Sequence, residues 1–262
     1  RGLGDVYKRQ RHISSNRYVP MILPDGRSLH GINDASIRIG LRLSKDETIV
    51  RMPFEVRHMG SKYPIFSFDF TGAKRGVLPA SYDYLRLEGR MQYRLNLPPI
   101  GYSQLMLEGG KIFGKVPYLL LKLHEGNGTY FYDRYAFSCM NFYEFSSDAW
   151  ISFFYEHHFN GFLLGRVPLL KKLNWREVFV FKGVYGTLSA RNDGSLPNTK
   201  AVMLFPVGMS SVEHPYLETG FGIENIFRLL RVDCIWRLTH HRAVPGLSIP
   251  TFTVNFSLNL KF

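Results

Sequence analysis

Residues 251–262 read TFTVNFSLNLKF, and they alternate without an error between apolar and polar side chains. The polar positions carry Thr, Asn, Ser and Lys. A period of two is typical of a β-strand whose two faces meet different surroundings. The length matches a tilted strand of ~9 to 11 residues that crosses a bilayer, together with its interfacial ends. The apolar face carries Phe252, Val254, Phe256, Leu258, Leu260 and Phe262.

The same alternation recurs along the chain. Residues 85–97, LRLEGRMQYRLNL, place leucines on one face and charged side chains on the other. With the segments given below, the pattern predicts an all-β fold, an antiparallel transmembrane β-barrel with about 12 strands visible, which falls within the ~8 to 26 strands of such barrels. Further candidate strands are 37–43, 50–56, 65–70, 102–112, 118–123, 130–142, 150–159, 177–188, 216–224 and 231–239.

A membrane-spanning helix is not predicted. The best candidate, residues 116–123, is short and is interrupted by Pro117 and Lys122, whereas a spanning helix needs about 20 apolar residues. A closed barrel is the other architecture that satisfies every backbone polar group inside a bilayer. Its strands need not be hydrophobic throughout, because alternate residues face the lumen.

The connections are expected to differ between the two rims. Residues 71–81, 191–215 and 240–250 are long and polar and would face the cell exterior, whereas 98–101 and 225–229 are short and would be periplasmic. Residues 165–175, GRVPLLKKLNW, are predicted to form a short amphipathic helical turn at the periplasmic rim.

The N-terminal segment does not fit this pattern. Residues 1–10, RGLGDVYKRQ, are interpreted as an adapter-derived artefact, and residues 11–262 as the outer-membrane β-barrel domain. Because no initiator Met or export signal precedes Arg11, the chain is expected to be the C-terminal part of a longer protein, and a larger, truncated barrel is a further expectation.

Three longer strings carry a family resemblance: GRVPLLKKLNWREV at 165–178, VPYLLLKLHEGNGTYFYDRYAF at 116–137, and HPYLETGFGIENIFRLLRVDCIWRLT at 214–239. With the last strand, they are similar to a family of large Gram-negative outer-membrane proteins, a domain of unknown function. In that family a carboxypeptidase-regulatory-like β-sandwich precedes a C-terminal barrel. The resemblance implies a location in the bacterial outer membrane. It implies no reaction, and no catalytic residue can be transferred.

The formal charge of +12 raises the question of an anionic partner. Arg86, Arg90 and Arg94 share one face of a strand at roughly 6.6 Å steps, and in a barrel that face is the lumen. This lumen basic ladder could bind phosphate, lipid headgroups or an anionic solute. The alternative is pairing with carboxylates, and Glu88, Glu108, Glu218 and Glu224 are candidates. Nucleic-acid binding is disfavoured, because the aromatic residues lie on the opposite face from the arginines.

Metal binding and catalysis find little support. His157-His158 and His240-His241 are adjacent pairs, and neighbouring residues on a strand point to opposite faces. Cys139 and Cys234 fit no metal spacing and are either small apolar residues or a disulfide. No G-x-S-x-G elbow occurs. We therefore predict no metal, no cofactor and no catalytic residues.

The sequence thus predicts a non-enzymatic outer-membrane barrel that serves as a pore, transport or envelope-assembly component. Its expected partners are outer-membrane lipid and, during insertion, the barrel-assembly machinery, for which the terminal strand ending at Phe262 is the assembly signal. Two alternatives remain: a membrane anchor for a missing N-terminal domain, and a soluble anion-binding β-barrel or β-sandwich.

Overall fold

A computed structural model describes residues 2–51, 56–58, 60–77, 79–195, 200–242 and 248–258. Its regular structure is almost entirely β. The strands are β1 (Gly2–Ser14), β2 (Gly31–Leu43), β3 (Ile49–Arg51), β4 (Val56–His58), β5 (Ile65–Ala73), β6 (Tyr84–Asn96), β7 (Tyr102–Gly114), β8 (Lys122–Leu123), β9 (Phe145–Ser147), β10 (Ala149–His158), β11 (Arg176–Thr187), β12 (Ser210–Ser211), β13 (Tyr216–Ile226), β14 (Leu230–Arg237) and β15 (Phe252–Leu258).

Helical structure is limited to short turns. A four-residue helix, α1, spans Pro168–Lys171, and single 3₁₀ turns lie at Tyr118–Leu120 and Leu164–Arg166. In the described part of the chain, no helix is both long enough and apolar enough to cross a membrane.

Ten strands form one sheet, in the order β1-β2-β5-β6-β7-β10-β11-β13-β14-β15. Each strand runs antiparallel to its neighbours, and the wall is therefore a simple up-and-down meander. The sheet is not closed, because β1 and β15 form its two ends in the described residues. The outer edge of β15 makes one isolated bridge, between Phe256 and Phe131.

The two faces of this sheet differ in character, as the alternation predicts. On β2 and β5 the outer face exposes Ile39, Leu41 and Phe68, whereas Asp34 and Ser36 on the inner face are buried. Charged side chains on the inner face are paired with one another, for example Arg38 with Asp69 on the next strand at 2.6 Å and Arg86 with Glu88 on the same strand at 2.7 Å.

The connections separate by length between the two rims. Strands that end at one rim are joined by residues 15–30, 74–83, 115–148, 188–215 and 238–251. At the other rim, residues 97–101, 159–175 and 227–229 make shorter connections, and residues 44–64 carry the small β3-β4 hairpin. The predicted long and short loops therefore lie at opposite rims, and the predicted amphipathic turn contains α1.

Residues 115–148, the insert, enter from the rim of the long connections and lie against the inner face. Strands β8 and β9 of the insert form a three-stranded sheet with β12. Two apolar clusters hold the insert to the wall. The first joins Tyr118 and Leu120 to Ile112 and Trp150. The second joins Phe137, Met140 and Phe145 of the insert to Met106, Phe154, Val184, Val212 and Tyr216.

Three of the predicted wall strands are wrong. Residues 118–123 form a 3₁₀ turn and the two-residue strand β8, and 130–142 form no regular strand. Of their aromatic side chains, Tyr118 and Phe137 are buried against the inner face, whereas Tyr130, Phe131 and Phe142 are exposed. The described residues within 50–56 belong to the separate β3-β4 hairpin. The wall therefore has ten described strands, not about 12.

Strand β1 includes the segment interpreted as an artefact. Residues 2–14 pair with β2 along their whole length, from Gly2 opposite Leu43 to Ser14 opposite Gly31. Residues 2–10 are nonetheless all exposed, so they contribute nothing to the core. The interpretation of residues 1–10 as an artefact, and the domain boundary at residue 11, stay predictions.

Candidate functional site: the contact between insert and wall

A buried carboxylate, Glu156 on β10, lies at the centre of the contact between the insert and the wall. It is 1% exposed and accepts hydrogen bonds from Arg134 Nε at 2.7 Å and from the Tyr132 hydroxyl, both on the insert. From the wall, Arg231 Nη2 on β14 donates to it at 3.2 Å. Because a buried carboxylate is costly without such partners, Glu156 fixes the position of the insert's middle.

Arg231 connects this carboxylate to a second one. Its guanidinium donates to both oxygens of Asp233, with the shortest contact at 2.7 Å. The same guanidinium lies 4.4 Å from the centre of the Tyr132 ring. The insert's tyrosine is therefore held by a cation–π contact as well as by its hydroxyl.

Lys182 on β11 binds the insert through backbone carbonyls. Its ammonium donates to the carbonyl oxygens of Asp133 at 2.8 Å and Ala136 at 2.6 Å, and its side chain is fully buried. A wall cation thus takes the place of water for two carbonyls that are in no strand.

Glu218 on β13 binds the insert through backbone N–H groups. It accepts the N–H groups of Ser138 at 2.8 Å and Cys139 at 2.7 Å, and the Tyr216 hydroxyl at 2.6 Å. Lys182 and Glu218 together fix residues 133–139 by their backbone. Such binding depends little on the insert's own side chains.

A further ion pair lies towards the rim of the long connections. Arg237 on β14 donates to Glu144 of the insert at 2.6 Å and to the carbonyl oxygen of Cys139 at 3.2 Å. Its guanidinium lies 4.9 Å from the Tyr216 ring centre.

In the other half of the sheet, Glu108 on the inner face of β7 is paired with two cations. Lys122 of the insert donates at 2.8 Å and is itself buried, and Arg90 on β6 donates at 2.6 Å. Lys122 also binds Glu125 at 2.9 Å. Wall charges from both halves of the sheet therefore contact the insert.

The predicted basic ladder divides into three different environments. Arg86 is paired with Glu88 at 2.7 Å, and Arg90 with Glu108. Arg94 stacks over Tyr102, 4.1 Å from the ring centre. The other two proposed carboxylate partners serve elsewhere, since Glu218 binds the insert and Glu224 lies 3.2 Å from His158. A role of the ladder in solute passage stays a prediction.

The terminal strand is described as far as Leu258, and Leu260 and Phe262 lie outside the described residues. Phe252, Phe256 and Leu258 are exposed on the outer face, with Val254 partly buried between them, whereas Asn255 on the inner face is fully buried. The outer edge of the strand is held by the insert: Phe256 N donates to Tyr130 O, and Tyr132 N to Phe256 O, each at 2.7 Å.

Burial perturbs the ionisable groups of the insert. Burial and, to a smaller extent, the nearby ammonium of Lys122 lower the pKa of His124 to about 3. The neutral ring makes a 3.0 Å hydrogen bond with Ser147. Burial also raises the pKa of Cys139 to about 12 and that of Tyr132 well above its ordinary value. The three groups are therefore uncharged at neutral pH.

The adjacent histidines point to opposite faces, as expected on a strand. His157 faces outward, 2.8 Å from Ser103, and His158 faces inward towards Glu156 and Glu224. Among the described residues, no three His, Cys, Asp or Glu side chains converge as a metal site. Cys139 and Cys234 are both free thiols, so the disulfide alternative does not hold.

Most of the residues that hold the insert were missed by sequence reasoning. The available signal was a charged residue at an inward position of an apolar strand, such as Lys182 in VFVFKGVYG. Others of this kind are Glu156, Arg231, Asp233 and Arg237. Their partners lie on an irregular segment far away in sequence, and no local pattern reveals them.

The comparisons with known proteins agree with this architecture. A sequence model described as the C-terminal domain of a family of unknown function (DUF5686) matches residues 6–190. The chain belongs to this family. The match begins inside the segment 1–10 and covers β2 to β11 in full, together with the whole insert. No curated protein matches the chain in sequence.

Among solved structures, the family member is similar to the crystal structure of BamA from Haemophilus ducreyi lacking POTRA domains 1–3. The TM-score is 0.51 and the sequence identity 11%, over 91% of this chain and 45% of that one. At this identity the likeness shows the fold alone. The chain spans less than half the length of that protein.

Proposed function

We propose that the chain forms the wall and the plug of an outer-membrane β-barrel with no catalytic activity. One observation carries the proposal: the outer face of β2, β5 and β6 exposes apolar side chains, whereas charged side chains on the inner face of β7, β10, β11, β13 and β14 contact the insert. Such a distribution is the reverse of a soluble sheet packed on an apolar core, and it matches a lipid-facing wall around a polar lumen.

The outer face is too apolar to be explained as ordinary surface. Neighbouring strands β2, β5 and β6 expose a continuous patch, whereas soluble monomers rarely expose apolar patches of more than a few hundred Å². A soluble anion-binding β-barrel or β-sandwich would leave this patch in water. The patch includes Ile37, Ile39, Leu41, Leu43, Phe66, Phe68, Phe70 and Leu85.

We further propose that the sheet closes in the membrane. The unpaired backbone groups at an open edge are costly in a bilayer, so β1, and β15 beyond its contact with the insert at Phe256, each require a strand partner there. The likeness to the BamA barrel supports closure, because the shared fold covers nearly all of this chain.

The insert defines the state of the proposed lumen. It is bound by charges from β7, β10, β11, β13 and β14 and by two apolar clusters, so the lumen is plugged in this conformation. A pore or transport role therefore requires the insert to move. A role in envelope assembly, or as an anchor for another domain, requires no such movement.

A labelling experiment on β15 tests the membrane wall. Spin labels at residues 254 and 256 should be accessible to oxygen dissolved in lipid, whereas labels at 253 and 257 should not, because they share the inner face with the buried Asn255. Equal accessibility of both sets to a water-soluble relaxation agent would reject the wall and favour the soluble alternative.

The proposed partners are outer-membrane lipid and the barrel-assembly machinery, with no role for nucleic acid. Terminal aromatic residues of this kind are expected to be read during insertion. Deleting Phe262 should therefore lower the amount of protein in the outer membrane without changing its synthesis, as measured by fractionation and by heat-modifiable gel migration. Unchanged outer-membrane levels would contradict the assembly signal. A Lys261→Gln variant is the matched control.

A further inference from the structure

Three neighbouring connections at one rim expose apolar side chains. They are residues 97–101, 159–175 and 227–229, which follow one another around the sheet. Leu169 is 83% exposed and Phe227 is 87% exposed. We call these three connections the basic rim surface. Its other exposed apolar residues are Ile100, Leu163, Val167, Leu173 and Leu229.

The charges of this surface are all of one sign. The three connections contain Arg166, Lys171, Lys172 and Arg228, and no Asp or Glu. In the described structure none of these four side chains makes an ion pair, and Arg166 instead lies 4.0 Å from the Phe162 ring centre. Long basic side chains beside exposed leucines are typical of segments that lie in a membrane interface.

The opposite rim has a different composition. Its connections contain Asp25, Asp83, Asp193 and Glu213, and two of these acids are paired locally, with Arg27 and Arg75. The opposite rim therefore carries charges of both signs, whereas the three connections of the basic rim surface carry only positive ones.

The basic rim surface is continuous with the outer face of the wall. Strands β11 and β13, which lead into it, present Phe179, Phe181 and Phe221 outward, and Phe221 is 60% exposed. At the same level the partly exposed Tyr155 shares a hydrogen-bonded group with the buried Ser103 and His157, at distances of 3.0 and 2.8 Å from Ser103. Amphipathic aromatic residues at this position match the girdle of a membrane barrel.

We propose that the basic rim surface lies in the headgroup layer of the membrane and binds anionic phospholipid. The leucines and Phe227 enter the acyl boundary, while Arg166, Lys171, Lys172 and Arg228 contact the phosphates. Charge complementarity favours anionic over zwitterionic lipid, because each basic residue near such a surface adds to the attraction. The inference rests on the proposed membrane wall.

The test uses a fluorescent label at Leu169→Cys, in a chain with Cys139→Ala and Cys234→Ala, inserted into vesicles of equal phosphatidylcholine and phosphatidylglycerol. Quenching is measured twice, with bromine on one lipid and then on the other. We expect stronger quenching by brominated phosphatidylglycerol. In the triple variant that carries Arg166→Gln, Lys171→Gln and Lys172→Gln, the two brominated lipids should quench the label equally. The control Lys74→Gln, Arg191→Gln, Lys200→Gln removes the same charge from the opposite rim and should keep the preference.

Labels at two further sites separate this inference from the proposed function. A label at Phe221→Cys should be quenched by both lipids, and a label at Val207→Cys, on the opposite rim, by neither. No quenching at 221 would reject the membrane wall itself. Quenching at 221 without quenching at 169, or equal quenching at 169 by both lipids, would overturn the anionic-lipid surface while leaving the wall intact.

Discussion

At the scale of single residues, Glu218 explains why the insert keeps one path across the wall. It is fully buried and satisfies two backbone N–H groups that have no strand partner. Glu218→Met keeps the volume but leaves both donors unsatisfied. We expect a loss of roughly 2 to 6 kcal/mol in the free energy of unfolding, at ~1 to 3 kcal/mol for each of the two buried donors. The measurement is a urea titration.

The matched control for this change is Glu88→Gln, which removes a carboxylate from the same face. Glu88 pairs with Arg86, and both side chains are partly exposed. Its loss should cost about 0 to 1 kcal/mol. Equal costs for the two variants would mean that the buried carboxylate does not hold the insert.

His124 predicts how the stability of the insert depends on pH. Its folded pKa of about 3 lies below the ordinary value of 6.5, so the folded state disfavours the proton. The free energy of unfolding therefore has its full value, as far as His124 is concerned, above about pH 6.5. It decreases as the pH falls from 6.5 towards 3, because the unfolded chain then binds a proton that the folded chain does not. At pH 5 the loss is about 2 kcal/mol, at ~1.36 per pH unit.

The measurement compares urea midpoints at pH 7.5 and pH 5 for the unmodified chain and for His124→Gln, which cannot titrate. The variant should lose less stability on acidification than the unmodified chain. His241→Gln changes an exposed histidine and should behave like the unmodified chain. If His124→Gln shows the same acid sensitivity, the histidine is not buried neutral.

At the scale of elements, alternation was sufficient for nine of the ten wall strands. The two faces of a wall strand lie in different surroundings, and successive side chains therefore alternate between apolar and polar. The insert has no such constraint. Residues 130–142 are rich in aromatic residues, of which Phe137 packs against the inner face, and this aromatic run was mistaken for a strand. Strand β1 was not predicted, because residues 1–10 were interpreted as an adapter-derived artefact.

The two faces of β15 should respond differently to charge. Phe256→Arg places a guanidinium on the proposed lipid face and should cost ~2 to 4 kcal/mol near the midplane. Ser257→Arg places it on the polar inner face and should cost much less. Both are measured as free energies of unfolding from vesicles. A larger loss for Ser257→Arg would reverse the assignment of the faces.

At the scale of the whole molecule, the contacts that matter join distant parts of the chain. Lys182 and Glu218 bind residues 133–139, and Asn255 donates to Thr129 O at 3.1 Å. Sequence reasoning identified lumen-facing charges and expected them to be paired or solvated. It could not identify the insert as their partner, because almost every residue has a backbone carbonyl and N–H, and the sequence does not show which of these groups bind a charged side chain.

The insert should control conduction through the proposed barrel. Strands β8 and β9 are antiparallel neighbours, with Leu123 opposite Ser146, so a short Gly-Ser turn can replace residues 126–142 without separating them. In a planar bilayer the intact chain should conduct little, and the shortened chain should conduct far more. Its lumen would then be lined by Glu156, Lys182 and Glu218, now solvated by water.

The shortened chain also tests the basic ladder. In the intact chain Arg86 and Arg90 are paired with carboxylates, so changing Arg86, Arg90 and Arg94 to Gln should leave the small conductance unchanged. In the shortened chain the same change removes three cations from an open path, and the reversal potential should shift towards cation selectivity. If the intact chain already conducts as well as the shortened one, ions pass beside the insert, and the plug does not close the lumen.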